Sequence, residues 1–167
     1  MRLEGSCELV DGELKSMSPA GWYHGYFIME IGGALREFVR ERDLGKVIGG
    51  EAGLITKRDP DGVRGIDVGF ISHDRLAQVQ SKSYLDVAPE LVVEVVSPGN
   101  TWQEMREKIE EYFGVGAERV WIVEPERQRA LVYRDASQFD EIGPGGVLRG
   151  EGVLDGFELP LDDLFAE

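Results

Sequence analysis

Residues 91–96, Leu-Val-Val-Glu-Val-Val, set the tightest limit on what this chain can fold into. Five aliphatic side chains surround one carboxylate. Such a run is shaped for a central strand buried on both faces. An ionised Glu94 in that strand is costly unless a cation or a metal ion compensates it. Its face therefore opens to a solvated groove, pairs with an Arg or Lys, or serves a metal site. Ser97-Pro98-Gly99-Asn100 ends the run.

The segments around this strand read as a mixture of strands and helices. Asp11-Gly12 between two short runs signals a hairpin over 7–17. Ser18-Pro19 reads as a helix start, and Gly45 as that helix's stop. Phe27, Ile31, Leu35 and Phe38 form an apolar stripe between them. Lys46 to Thr56 is a strand, and Asp59 to Gly62 a turn cluster. Arg64 to Ile71 is the next strand, with Ile66, Val68 and Phe70 expected on one face and Asp67 on the other. Thr101 to Phe113 is a helix opened by a capping box of Thr101 and Glu104, and Gly114 and Gly116 end it. Strands at Arg119–Val123 and Ala130–Tyr133 flank a Glu124-Pro125 turn, and the tail adds edge strands or a short helix. The order predicts one α/β (α+β) domain over residues 1–167.

The net charge is −14, the opposite of the basic surface of a non-specific nucleic-acid binder. Carboxylates do suit a divalent-metal site. Cys7 is the lone cysteine, which excludes an intrachain disulfide and a Cys-based zinc site. His24 and His73 are too few for a His-rich site. The first residues lack the apolar core of a signal peptide, and no stretch reaches the ~18 apolar residues of a membrane span. A cytoplasmic protein without a membrane partner is expected.

Beside Glu94, Asp67 is the second acidic candidate, within reach of the same ion if the two strands are neighbours. Lys108 borders the apolar stripe of Met105, Ile109, Tyr112 and Phe113. It points toward the sheet, or pairs with Glu104 or Glu111 along the helix. Trp102 and Trp121 read as core or groove packing.

Residues 89–124, PELVVEVVSPGNTWQEMREKIEEYFGVGAERVWIVE, resemble the signature of the Uma2 family of restriction endonucleases, within the PD-(D/E)XK nuclease superfamily. DGELKSMSPAGWYH at 11–24, GGEAGLI at 49–55, RGIDVGFIS at 64–72 and VLDGFELPLDDLF at 153–165 match in the same order. The resemblance implies a restriction-endonuclease-like mixed central sheet flanked by helices. It implies that Asp67 and Glu94 hold Mg²⁺ or Mn²⁺. The superfamily's usual lysine, two residues after the second acid, is replaced here by Val96, and Lys108 of the following helix takes its role. Glu51 and Glu30 are further acids by the same analogy, and His24 lines the cleft. Ile66 stands where Pro is common, and Asn100 where an acid is common. The implied function is metal-dependent endonucleolytic hydrolysis of phosphodiester bonds in nucleic acid, with DNA as the leading substrate. The competing reading is a non-catalytic dimeric binding or regulatory module with a degenerate site, which the charge and Val96 favour. An exposed edge strand and the apolar tail leave room for a homodimer.

Overall fold

The computed structural model describes residues 6–166. Asp11 (φ 49°) and Gly12 (φ 80°) take the left-handed conformations that a tight hairpin requires, and join β1 (Ser6–Val10) to β2 (Glu13–Met17). Helix α1 (Trp22–Arg42) follows. It starts later than Ser18-Pro19 suggests, at an N-cap Gly21 that supplies no side-chain hydrogen bond. It ends at Asp43 (φ 52°), whose N–H reaches back to the carbonyls of Arg40 and Val39. Gly45 is not the stop. It opens β3 (Gly45–Lys57), where a Cβ would lie 2.1 Å from the Ile71 carbonyl oxygen.

β4 (Gly62–Ser72) runs back along β3, and the short helix α2 (His73–Leu76) follows it. β5 (Leu91–Val95) is the buried strand anticipated around Glu94. Helix α3 (Trp102–Gly114) carries the expected capping box between Thr101 and Glu104. β6 (Arg119–Glu124), β7 (Arg129–Tyr133) and β8 (Phe139–Ile142) complete a sheet ordered β2-β1-β4-β5-β6-β7-β8, with β3 on the other edge of β4. Among these strands only β5 and β6 pair in parallel, because α3 is the crossover between them. A ribbon of β9 (Val147–Arg149) and β10 (Glu158–Pro160) leads to α4 (Leu161–Leu164).

Helices cover both faces of this mixed sheet. Phe27, Ile31, Leu35 and Phe38 of α1 pack on Val68, Phe70, Val93, Val95 and Trp121, together with Leu161 and Leu164 of α4. Met105, Ile109 and Tyr112 of α3 pack on Ile66, Val92, Val120 and Ile122. Trp121 is a core residue, whereas Trp102 lies at the surface.

The expected alternation in β4 does not hold. Ile66 belongs to the α3 side, while Val68 and Phe70 belong to the α1 side. The cause lies in β3. Gly49 pairs with Val68 and Ala52 with Ile66, so two residues of β3 oppose the single Asp67. The two, Gly50 (φ 68°) and Glu51 (φ 60°), form a left-handed bulge. The strand changes phase at Asp67. Among the described residues no helix is long and apolar enough to cross a membrane.

Candidate active site

One edge of β4 is shared by two strands. β1 holds it at Val63, and β5 holds it from Val68 to Phe70. The edge between them is left open, and a cleft of about 440 Å³ lies there. Its walls include Glu8, His24, Glu51, Arg64, Asp67, Glu94 and Lys108.

Asp67 and Glu94 meet because of register. Val68 pairs with Val93 and Gly69 with Val92, so one further step sets Asp67 opposite Glu94. Opposed residues of an antiparallel pair share a face. The ladder stops there because the Val95 N–H turns to Asp67 Oδ2, at 2.8 Å. His24, from the first turns of α1, approaches from the other side. Its Nε2 lies 2.7 Å from the Val95 carbonyl oxygen and 3.3 Å from Asp67 Oδ2. Both neighbours accept, so Nε2 carries the hydrogen. The hydrogen bond with Asp67 holds the imidazole above its ordinary pKa. Nδ1 is buried without a partner.

Glu94 is only 4 % exposed. Its Oε1 accepts the hydroxyl hydrogen of Tyr112, and its Oε2 lies 3.9 Å from Lys108 Nζ. Burial pushes its carboxyl up to about 8, against the pull of the Lys108 ammonium. Burial beside Glu94 likewise raises the Tyr112 hydroxyl. Burial opposes the charge on Lys108, but Glu94 and Glu8 outweigh it and the ammonium is held above its usual range.

Lys108 does not pair with Glu104 or Glu111. Its nearer partner is Glu8 of β1, at 3.1 Å. Glu8 also accepts from the Gly65 N–H (3.2 Å) and from Arg64 (3.1 Å). Arg64 forms a two-pronged pair with Glu111 of α3, at 2.7 and 2.9 Å, and Thr56 donates to the same carboxylate at 2.7 Å. Burial would raise Glu111, but the hydrogen bonds from Arg64 and Thr56 win and it lies below the usual carboxylate range. A buried ion-pair chain, Glu111–Arg64–Glu8–Lys108, thus runs from α3 to the floor of the cleft, where Lys108 meets the carboxyl of Glu94.

Of the residues read from the sequence, Asp67, Glu94 and Lys108 come together, with His24 and Glu51 on the same walls. Glu51 sits on the bulge and accepts from Ser6. Glu30 is exposed on α1 and lines no part of the cleft, because its helix position turns it away from the sheet. Sequence reading missed Glu8, Arg64 and the polar role of Tyr112. Arg64 had a signal, since it opens the RGIDVGFIS segment beside Asp67. Tyr112 and Glu8 had weaker ones: the tyrosine sits at a core spacing of α3, and the glutamate lies in an ordinary-looking hairpin strand.

Among the described residues no three His, Cys, Asp or Glu side chains gather closely enough to enclose an ion by themselves. An ion here would have two carboxylates and would keep water or substrate oxygens elsewhere, which is the usual way Mg²⁺ is held. The donor set fits such an ion.

The profile of the Uma2 family, described as "Putative restriction endonuclease", matches residues 2–162. A crystal structure described as "a putative nuclease belonging to DUF820 from Anabaena variabilis ATCC 29413" superposes with a TM-score of 0.82 over 98% of this chain and 93% of that one. The two are 17% identical, so the likeness is one of fold. A search of curated proteins found no match.

Proposed function

Because the chain belongs to the Uma2 family, whose profile covers residues 2–162, we propose that it is a cytoplasmic, divalent-metal-dependent endonuclease that hydrolyses phosphodiester bonds in nucleic acid, DNA first among them. One observation carries this reading: Asp67, Glu94 and Lys108, from three separate elements, line one open cleft. Asp67 and Glu94 would hold Mg²⁺ or Mn²⁺. The ion, when bound, makes its water more acidic and polarises phosphoryl oxygens.

The protein's own groups supply the rest. The Val95 N–H and His24 hold the Asp67 carboxylate in place. Tyr112 fixes one oxygen of Glu94. Glu94 must lose its proton to act as a ligand, so cation affinity rises with pH through about 8. Lys108 stands between Glu8 and Glu94, and its ammonium is placed to orient the attacking water or to offset charge developing on the phosphoryl group.

Calorimetry with Mg²⁺ and with Mn²⁺ tests the site, comparing the wild type with Asp67→Ala/Glu94→Ala. Binding lost in the double variant supports the proposal, and a folded wild type that binds neither ion overturns it. Cleavage of single- and double-stranded DNA and RNA then tests the activity. Lys108→Met should keep metal binding and lose at least ~100-fold in rate. The net charge of −14 favours the second reading, a non-catalytic module. Metal binding with no cleavage of any of these substrates would select it.

A further inference from the structure

Helix α1 has a second organised face. Trp22, Tyr26, Met29, Gly33, Arg36 and Arg40 are all exposed and follow one another at steps of four, three, four, three and four. At about 100° per residue these positions fall in one narrow stripe. It lies opposite Phe27, Ile31, Leu35 and Phe38, which face the core. Trp22 is 82% exposed and Met29 72%, unusual values for side chains of this size. Among the described residues neither Arg36 nor Arg40 pairs with a carboxylate, although the chain carries a charge of −14.

The alternation of four and three is the seam spacing of paired helices. The stripe is also complementary to itself when reversed. About a two-fold axis near residue 31, Trp22 meets Arg40 of a second copy, Tyr26 meets Arg36, and Met29 enters the space over Gly33. A Cβ built on Gly33 has nothing within 4 Å, so that space is free. Two contacts set a guanidinium on an aromatic face, and the third sets a flexible thioether in a hole. Aromatic residues, Met and Arg are the types enriched at interfaces. An isologous contact requires this kind of self-complementarity.

We propose that the outer face of α1 is a homodimer interface, with the two α1 helices antiparallel and residue 22 of each against residue 40 of the other. His24 points to the opposite side of the helix, so both clefts stay open in the pair. A contact centred on one 21-residue helix, about 30 Å long, buries less than the ~1,200 Å² of a standard interface. Glu30 lies near its own copy, a like-charge contact. Association is therefore weak, below the size class of standard specific complexes. The dimer does not depend on the nuclease reading.

Sedimentation velocity on the full chain from about 1 µM to about 1 mM tests it, with circular dichroism as the check on folding. The wild type should show a concentration-dependent dimer. Met29→Glu and Trp22→Arg should each weaken it by at least ~10-fold, since both put charge at exposed seam positions. Arg40→Glu weakens it as well. An equimolar mixture of Trp22→Arg and Arg40→Glu chains should regain dimer, because the guanidinium introduced at position 22 of one chain then faces the carboxylate introduced at position 40 of the other. A wild type that stays monomeric throughout overturns the proposal. So does a dimer indifferent to Met29→Glu, or a mixture that fails to recover. Quenching of tryptophan fluorescence by a single-stranded oligonucleotide that disappears in Trp22→Phe, with the protein monomeric, also overturns it in favour of a base-stacking surface.

Discussion

Replacing Glu94 by glutamine should make the metal-free protein more stable at alkaline pH. In the folded chain the carboxyl is pushed from 4.5 to about 8 by burial. A raised acid stabilises the fold below its unfolded pKa, and that contribution is lost as pH rises through the folded value. The loss therefore spans about pH 4.5 to 8. The gap of about 3.5 pKa units, at ~1.36 kcal/mol each, sets its size at on the order of 4–5 kcal/mol. That is a large share of the ~5–15 kcal/mol that holds a typical domain together. The amide introduced by Glu94→Gln keeps an oxygen for the Tyr112 hydroxyl and the shape of the side chain, but has no proton to lose, and Lys108 retains Glu8 at 3.1 Å. Urea unfolding from pH 5 to pH 9, with chelator present, measures the difference. The wild type should lose on the order of 4 kcal/mol more than Glu94→Gln across that range. Parallel curves would refute the argument that a buried, protonated Glu94 sits at the floor of the cleft. Added Mg²⁺ should restore the wild type at pH 9 and leave the variant unchanged.

Three further outcomes follow from the same geometry. Arg64→Met leaves Glu111 and Glu8 buried without their shared cation, and should cost about 3–5 kcal/mol in urea unfolding at pH 7. Tyr112→Phe removes the donor to Glu94, should cost about 1–3 kcal/mol, and should move the Glu94 titration further up, as read by carbon NMR of the labelled carboxyl. Thr101→Ala breaks the capping box of α3 and should cost about 1 kcal/mol in the same unfolding measurement.

What could be read in the sequence was what local chemistry decides. The buried strand around Glu94 follows from an aliphatic run that no other element accommodates as well. The start of α3 follows from two side chains three residues apart. The start of α1 was misplaced because its cap, Gly21, contributes no side-chain bond and so leaves no mark. The phase of β4 was misread because its cause, the Gly50–Glu51 bulge, lies in a different strand. For the site, acidic and basic residue types were legible, but their partners were not. Lys108 pairs with Glu8, and Arg64 with Glu111, across long stretches of chain that only the folded sheet brings together.

The bulge also determines which kinds of genetic change the site tolerates. Gly50 and Glu51 together stand opposite one residue of β4, so the cleft depends on a count as well as on residue identity. A point substitution at either position keeps that count. Deleting one of them would restore the regular pleat and force one half of β4 to exchange its inward and outward side chains. Ile66 would then leave the α3 side, or Val68 and Phe70 would leave the α1 side and carry Asp67 away from Glu94. Lineages of this protein should therefore vary in residue type at this corner while keeping its length constant.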